Sequence, residues 1–278
     1  MKRAFSLREA KRASTDLSSS NMIYNYHTHT MRCHHAADSD EEYIKAAIEA
    51  RIKYLGFSDH SPVSFAERSG FHYHMDDTDG EEYVKTIKKL AEKYNNDIHI
   101  SVGFEMEYYP TYFDEMLDMA RNYGAEYLIL GQHFIDDEWP NGIGSRGRIE
   151  DPKLLTTYVN NIINAMQTGV FTYVAHPDII GFVGDEKFYR QEMTRLCKAS
   201  KEYDVPLEIN LHGLRFSRHY PSDRFFKIAG EVGAPVTYGV DAHESRALLE
   251  KFPLELAAQM VKTHKLNYIG MPKLRAIK

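Results

Sequence analysis

The feature that most constrains this chain is the regular alternation, past residue 21, of short apolar runs with helix-patterned stretches. Strand-like runs are read at 22–26, 54–58, 98–104, 127–131, 171–175, 206–210, 235–240 and 267–270. Between them, helical periodicity covers about 39–53, 81–94, 112–123, 152–167, 187–203, 221–232 and 245–263. Ser39 with Glu42 forms a capping-box pattern at one helix start, and Pro152 suits the first turn of another. Strand–helix units repeated at this spacing predict parallel strands covered by helices. Seven or eight such units favour a closed barrel, with a doubly wound open sheet as the alternative. No Gly-x-Gly-x-x-Gly follows the first strand, so a dinucleotide-binding fold gains no support. A length of 278 residues suits one barrel domain, over 22–278.

Bulk properties narrow the partners. The net charge of −6 supplies no general attraction for nucleic acid or an anionic membrane. The two cysteines, Cys33 and Cys197, lie far apart and form no disulfide framework, which fits a reducing, cytoplasmic setting. No apolar run approaches the roughly 18 residues needed to span a bilayer, so no membrane association is expected. Residues 1–21 are basic and serine-rich without the apolar core of a secretory signal. They are read as a flexible N-terminal tail, or as an over-extended start with Met22 as the true one.

Fourteen histidines are the unusual count, and their positions matter more than their number. His27 and His29 end the first strand, His60 the second and Glu105 the third. His133 follows the fourth, His176 ends the fifth, and Asp241 and His243 end the seventh. Parallel barrels place their chemistry at the C-terminal rim, so six strands deliver metal-type donors to one rim. In extended chain, residues i and i+2 point the same way, which lets His27 and His29 share an ion and lets Asp241 and His243 face one cavity. Imidazole and carboxylate donors suit zinc, iron or manganese, and the lack of thiolates argues against a closed structural zinc site. A single His-x-His is weak evidence, and an Asp before a helix is often only a cap. Agreement across six strand ends is not explained that way. His72 and His74, in the polar loop over 60–79, are expected to be solvated or on the substrate side.

At these residues the chain resembles the polymerase-and-histidinol-phosphatase (PHP) family. The matching pieces are His27-Thr28-His29-Thr30, His35-Ala36, Ser58-Asp59-His60, Gly103-Phe104-Glu105, Gly131-Gln132-His133-Phe134, Ala175-His176-Pro177 and Gly239-Val240-Asp241-Ala242-His243. The resemblance implies an α/β fold, a distorted (β/α)7 barrel in a single domain, with two or three divalent metal ions at the C-terminal rim. It implies a first ion held by His27, His29, Glu105 and Asp241, and a second by Glu105, His133 and His176. A third would be held by His35, His60 and His243. Glu105 and Asp241 are thus expected to be catalytic, and Asp59 is a candidate acid for the leaving group.

Within the family the chain looks most like the histidinol-phosphate phosphatases, through the segments 105–110, 133–136 and 207–215. L-histidinol phosphate is therefore the expected substrate, a small phosphomonoester. Those phosphatases often carry an arginine a few residues after the fifth-strand histidine. Here the stretch reads His176-Pro177-Asp178-Ile179-Ile180-Gly181-Phe182. Arg215 and Arg218 are the expected phosphate-binding residues, with Arg146 and Arg148 as reserves, because a guanidinium forks onto phosphate oxygens. Paired metal ions acidify a bound water and clamp phosphoryl oxygens. The alternatives are a PHP-type nuclease or phosphoesterase acting on another ester, and a non-catalytic metal-binding protein. A nuclease would want a basic groove, and a metal store would not need open positions at a rim.

Overall fold

The computed structural model describes residues 22–65, 73–75 and 78–277. The tail expected over 1–21 and the expectation for His72 lie outside the described residues. The chain runs β1 (Tyr24–Asn25), α1 (Asp40–Glu49), β2 (Tyr54–His60), α2 (Asp79–Lys93), β3 (His99–Met106), α3 (Phe113–Tyr123), β4 (Tyr127–Leu130), α4 (Pro152–Thr168) and β5 (Phe171–Val174). It continues through α5 (Glu186–Glu202), β6 (Leu207–Asn210), α6 (Leu211–Arg215), α7 (Asp223–Val232), β7 (Pro235–Gly239), α8 (Phe252–Thr263) and β8 (Asn267–Tyr268). The strands lie in sequence order in one eight-stranded sheet, and every pairing is parallel.

The sheet curls until its ends meet, and the two ends of the barrel meet differently. At the C-terminal rim, the chain after β1 joins the chain after β7. Thr28 bridges Ala242, His29 N–H donates to Ala242 O at 2.9 Å, and Ala242 N–H donates to His27 O at 3.2 Å. At the opposite end, β8 pairs with the start of β7 and comes up beside β1. There the Tyr24 hydroxyl lies 2.9 Å from Thr237 Oγ1 and 3.1 Å from the Tyr268 hydroxyl. The result is seven strand–helix units with a two-residue eighth strand wedged in at the bottom, a distorted barrel as expected.

Alternation along the strands divides the core in two. Tyr24, Tyr26, Tyr127, Ile129, Tyr173 and Ala175 fill the barrel interior as one buried cluster. The outward residues, such as Leu55, Phe57, Leu128, Val174, Leu207 and Ile209, meet the apolar faces of the helices in a second, larger cluster. Helix α1 shows how local sequence fixes a unit. Ser39 N–H donates to Glu42 Oε2 at 2.7 Å, and Glu42 N–H returns to Ser39 Oγ at 3.4 Å, so the expected capping box is present. Replacing Ser39 with alanine should cost about 1 kcal/mol, read by urea unfolding at fixed metal load. A midpoint indistinguishable from that of the parent would show that the cap contributes nothing.

Some boundaries differ from the sequence-based expectation. Helix α1 ends at Glu49, short of residue 53, because Arg51 turns to φ 62° and Ile52 N–H closes onto Ala47 O. The single helix expected over 245–263 is two pieces, a 3-10 turn at Ser245–Leu249 and then α8, where Pro253 sits in the first turn. Short helix α6 was not expected. It starts because Asn210 accepts from Gly213 N–H at 2.8 Å.

Candidate metal centre

The bridge between Thr28 and Ala242 sets His27 and His29 beside Asp241 and His243 at the rim. His60 and Glu105 are registered partners at the ends of β2 and β3. His176 and Asp241 take left-handed backbone conformations, φ 48° and 54°, immediately beyond β5 and β7. Such conformations are costly for residues with side chains and are held by their surroundings, often where a side chain must be aimed.

Four donor atoms form a compact set. His27 Nε2 lies 3.3 Å from His29 Nε2, 3.4 Å from Glu105 Oε2 and 3.6 Å from Asp241 Oδ1. His29 Nε2 lies 3.4 Å from Glu105 Oε2 and 3.3 Å from Asp241 Oδ1. Donors at about 2.0–2.2 Å from one ion in tetrahedral array sit roughly 3.3–3.6 Å apart. The second Glu105 oxygen faces another pair: His176 Nε2 lies 2.8 Å from Oε1, without hydrogen-bond alignment, and His133 Nε2 lies 3.8 Å from it. On the other side His35 Nε2 lies 3.0 Å from His243 Nε2, and His29, His60 and His243 bring donor atoms within 4.8 Å of one another. His60 turns Nδ1 toward Glu105 Oε2, at 3.4 Å. All nine expected donor residues are therefore gathered at one end of the barrel.

Behind these rings stand acceptors to which the sequence alone assigned no such role. His27 Nδ1 lies 2.8 Å from Glu208 Oε1, and the other Glu208 oxygen accepts from His176 N–H at 3.1 Å. His133 Nδ1 lies 2.8 Å from Glu107 Oε1. His35 Nδ1 is 2.7 Å from Cys33 O. An acceptor at Nδ1 fixes the tautomer that leaves the Nε2 lone pair available. Glu107 carried one signal, since it follows Glu105 by two residues and shares its face. Glu208 carried another, as a carboxylate between Leu207 and Ile209 of a strand.

Asp59, expected to serve as an acid, is buried behind His29. It lies 3.3 Å from His29 Nδ1, accepts from Thr30 N–H at 3.0 Å and from His60 N–H at 2.9 Å, and also meets the Thr30 hydroxyl. His74 is not solvated: it is 2% exposed, with Nδ1 at 2.8 Å from Ser61 O and Nε2 at 2.8 Å from Glu138 Oε2. Arg215 is held by Glu244 at 2.5 Å and Glu250 at 2.7 Å, so two carboxylates already neutralise it. Arg218 is exposed and stands over the Phe216 ring.

The electrostatics call for a cation. Burial alone would depress the His27 imidazolium, yet Glu208, Asp241 and Glu105 outweigh it and raise the group to about 10. Burial would raise the Glu105 and Asp241 carboxyls, but the surrounding histidines hold both well below the usual range. Burial pushes His60 and His133 well down, so these rings stay neutral and able to ligate. Both Glu105 oxygens, Asp241 Oδ1, His60 Nδ1 and His176 Nδ1 are buried without a hydrogen-bond partner. Buried polar atoms in that condition are costly, and a metal ion satisfies several at once. Neutral imidazoles with anionic oxygens are the donors that zinc, manganese or iron take, so His27 and His29, whose protons the neighbouring carboxylates hold, would each give one up to an incoming ion. The residues fit metal.

Comparisons with known proteins agree with this chemistry. The PHP domain family model matches residues 25–212. The histidinol-phosphatase of Bacillus subtilis is 24% identical over 253 residues, covering 79% of this chain and 92% of that protein. The probable histidinol-phosphatase of Deinococcus radiodurans is 23% identical over 230 residues, covering 78% and 85%. In fold, the chain matches the histidinol phosphate phosphatase of Lactococcus lactis, solved with zinc, L-histidinol and phosphate, at a TM-score of 0.67 and 15% identity, over 92% of this chain and 97% of that one. No described helix is long and apolar enough to cross a membrane. With a family match over most of its length and the donor residues meeting at one rim, the chain belongs to the PHP domain family, as a hydrolase of phosphate esters.

Proposed function

We propose that this chain hydrolyses L-histidinol phosphate, with two or three divalent metal ions held at the rim of the barrel. The observation that carries the reading is the four-atom set of His27, His29, Glu105 and Asp241, with the second Glu105 oxygen turned to His133 and His176. In this reading, His27, His29, Glu105 and Asp241 hold a first ion. Glu105, His133 and His176 hold a second, and His35, His60 and His243 hold a third. Bound ions would supply an acidified water and charge neutralisation for the phosphoryl oxygens.

The chain's own residues do the rest. Glu208, Glu107 and Asp59 fix the rings of His27, His133 and His29, so that reorganisation is not needed when substrate arrives. Asp59 acts here as a positioning residue. In net terms, water adds across the P–O ester bond, releasing the alcohol and orthophosphate. The substrate assignment is supported by the names of the relatives from Bacillus subtilis and Deinococcus radiodurans.

The test is orthophosphate release by metal-reconstituted protein from L-histidinol phosphate, adenosine monophosphate, glycerol phosphate and a phosphodiester. L-histidinol phosphate is expected to have the highest kcat/KM. A clear preference for the nucleotide or the diester would overturn the substrate, while elemental analysis of the same preparation tests the metal assignment separately.

A further inference from the structure

We infer that Arg32 is a positioning residue for the first metal ion, acting through a hydrogen-bond relay that runs from its guanidinium through Thr30 and Asp59 to His29. The inference rests on the reading above of His29 as a ligand of that ion.

The relay follows from matching donors to acceptors. Asp59 is buried and is met by four donors. His29 Nδ1 at 3.3 Å and His60 N–H at 2.9 Å face one oxygen, and Thr30 N–H at 3.0 Å and the Thr30 hydroxyl face the other. A threonine hydroxyl carries one proton and two acceptor lone pairs. Both acceptor directions of Thr30 are taken by Arg32, through its backbone N–H at 3.4 Å and its Nη1 at 3.3 Å. The one proton is thereby turned to Asp59. The turn that carries these residues is fixed as well: Thr30 caps the 3-10 turn Met31–Cys33, and Cys33 Sγ donates to Thr30 O at 3.1 Å.

Arg32 is itself held from outside the site. Its Nη1 lies 3.1 Å from each carboxylate oxygen of Asp40, the first residue of α1, and its Nε donates to Glu82 Oε2 of α2 at 3.2 Å. The guanidinium carbon stands 5.4 Å from the centre of the Tyr83 ring. The Tyr83 hydroxyl in turn accepts from Asp59 N–H at 3.3 Å and donates to Gly103 O at 3.1 Å. Two helices therefore brace the same aspartate, α2 through Tyr83 and both through Arg32. Among the described residues, Arg32 makes no hydrogen bond or ion pair with any of the nine donor residues. A role confined to tying α1 to α2 accounts for Asp40 and Glu82, but not for the Nη1 bond to the buried Thr30 hydroxyl. With that hydroxyl fixed, Asp59 is held against His29 Nδ1, and His29 Nε2 stays aimed at Glu105 Oε2 and Asp241 Oδ1. Without Arg32 the hydroxyl is free to turn, and the ring must be ordered when the ion arrives.

The experiment measures zinc affinity by chelator competition on the reloaded parent, Arg32→Met, Thr30→Val and the double variant, with zinc per chain counted by elemental analysis. One ion per chain should bind about three- to tenfold more weakly in Arg32→Met, the worth of one net hydrogen bond. The loss in Thr30→Val should be about ten- to a hundredfold. In the Thr30→Val background, Arg32→Met should cost no further affinity, because the relay is already cut. Thr30→Ser keeps the hydroxyl, so it should keep both the parent affinity and the sensitivity to Arg32→Met. Should Thr30→Val not fold, Thr30→Ala makes the same comparison. Unchanged zinc affinity in Arg32→Met would overturn the relay. So would a loss of equal size in both backgrounds, the result expected if the arginine only ties two helices together. A parent that takes up no zinc would overturn the metal reading and the relay with it, whereas zinc uptake without coupling would overturn the relay alone.

Discussion

Glu105→Ala is expected to abolish phosphate-ester hydrolysis and to empty two donor sets at once, with a loss exceeding that of any single histidine-to-alanine change at the rim. The reason is geometric. Oε2 belongs to the group with His27 and His29, and Oε1 faces His133 and His176. Each histidine serves fewer partners. Removing an orienting acceptor such as Glu208 typically costs about 10–100-fold in metal affinity or activity. The Glu105 loss should lie above that range and should not be recovered by excess metal. Glu105→Gln keeps the shape but loses the charge, so it should also fail. The measurement is kcat/KM at saturating metal, paired with metal content per chain. Turnover near that of the parent would remove Glu105 from the centre of the site.

A second large effect is expected from a substitution that adds one carbon. Glu208 leans over Gly239 of the neighbouring strand β7, and a Cβ there would lie 1.7 Å from Glu208 Oε1. No contact that short exists, so either the carboxylate or the strand must move. If Glu208 moves, His27 Nδ1 and His176 N–H lose their acceptor together. Gly239→Ala should therefore cost about 1–3 kcal/mol through overpacking, a fall in Tm of roughly 2–12 °C for a domain of this size. It should also cost about 10–100-fold in metal affinity or activity. Glu208→Gln separates the two effects, because it removes the charge without the clash and should leave Tm closer to that of the parent. A Gly239→Ala protein with unchanged Tm and activity would mean that the interior has slack that the geometry does not show.

The barrel and its rim were legible for different reasons. Strand–helix alternation survives as a local pattern, and His27 with His29, or Asp241 with His243, is visible at two-residue spacing. What could not be read depends on pairs remote in sequence. Glu208 meets His27 across 181 residues. Arg215 looked like an available cation because its neutralising partners, Glu244 and Glu250, arrive from the far side of β7. The solvated alternative for His74, weighed beside a place on the substrate side, fails because the acceptor that buries it, Glu138, belongs to another loop. Asp59 looked like an acid because nothing local reveals that Thr30 and His29 occupy its oxygens. Helix ends failed for a local reason instead: the left-handed turn at Arg51 has no glycine to announce it.

The closure of the rim has a kinetic consequence. Val240 N–H donates to Asn25 Oδ1 across 215 residues, and the same seam brings Asp241 to His27. During synthesis at about 5–20 residues per second, the histidines nearest the start of the barrel wait roughly 10–40 s for Asp241 to be made. In that interval His27, His29, His35, His60 and Glu105 can meet, but the first donor set lacks its fourth member. Closing so long a loop is entropically slow, and the contacts that reward it come last. A metal ion captured early would be held by an incomplete set and exchange readily, while one bound after the seam closes would have Asp241 as a further donor. The first donor set is therefore complete only once the seventh strand has docked and Asp241 has reached His27 and His29.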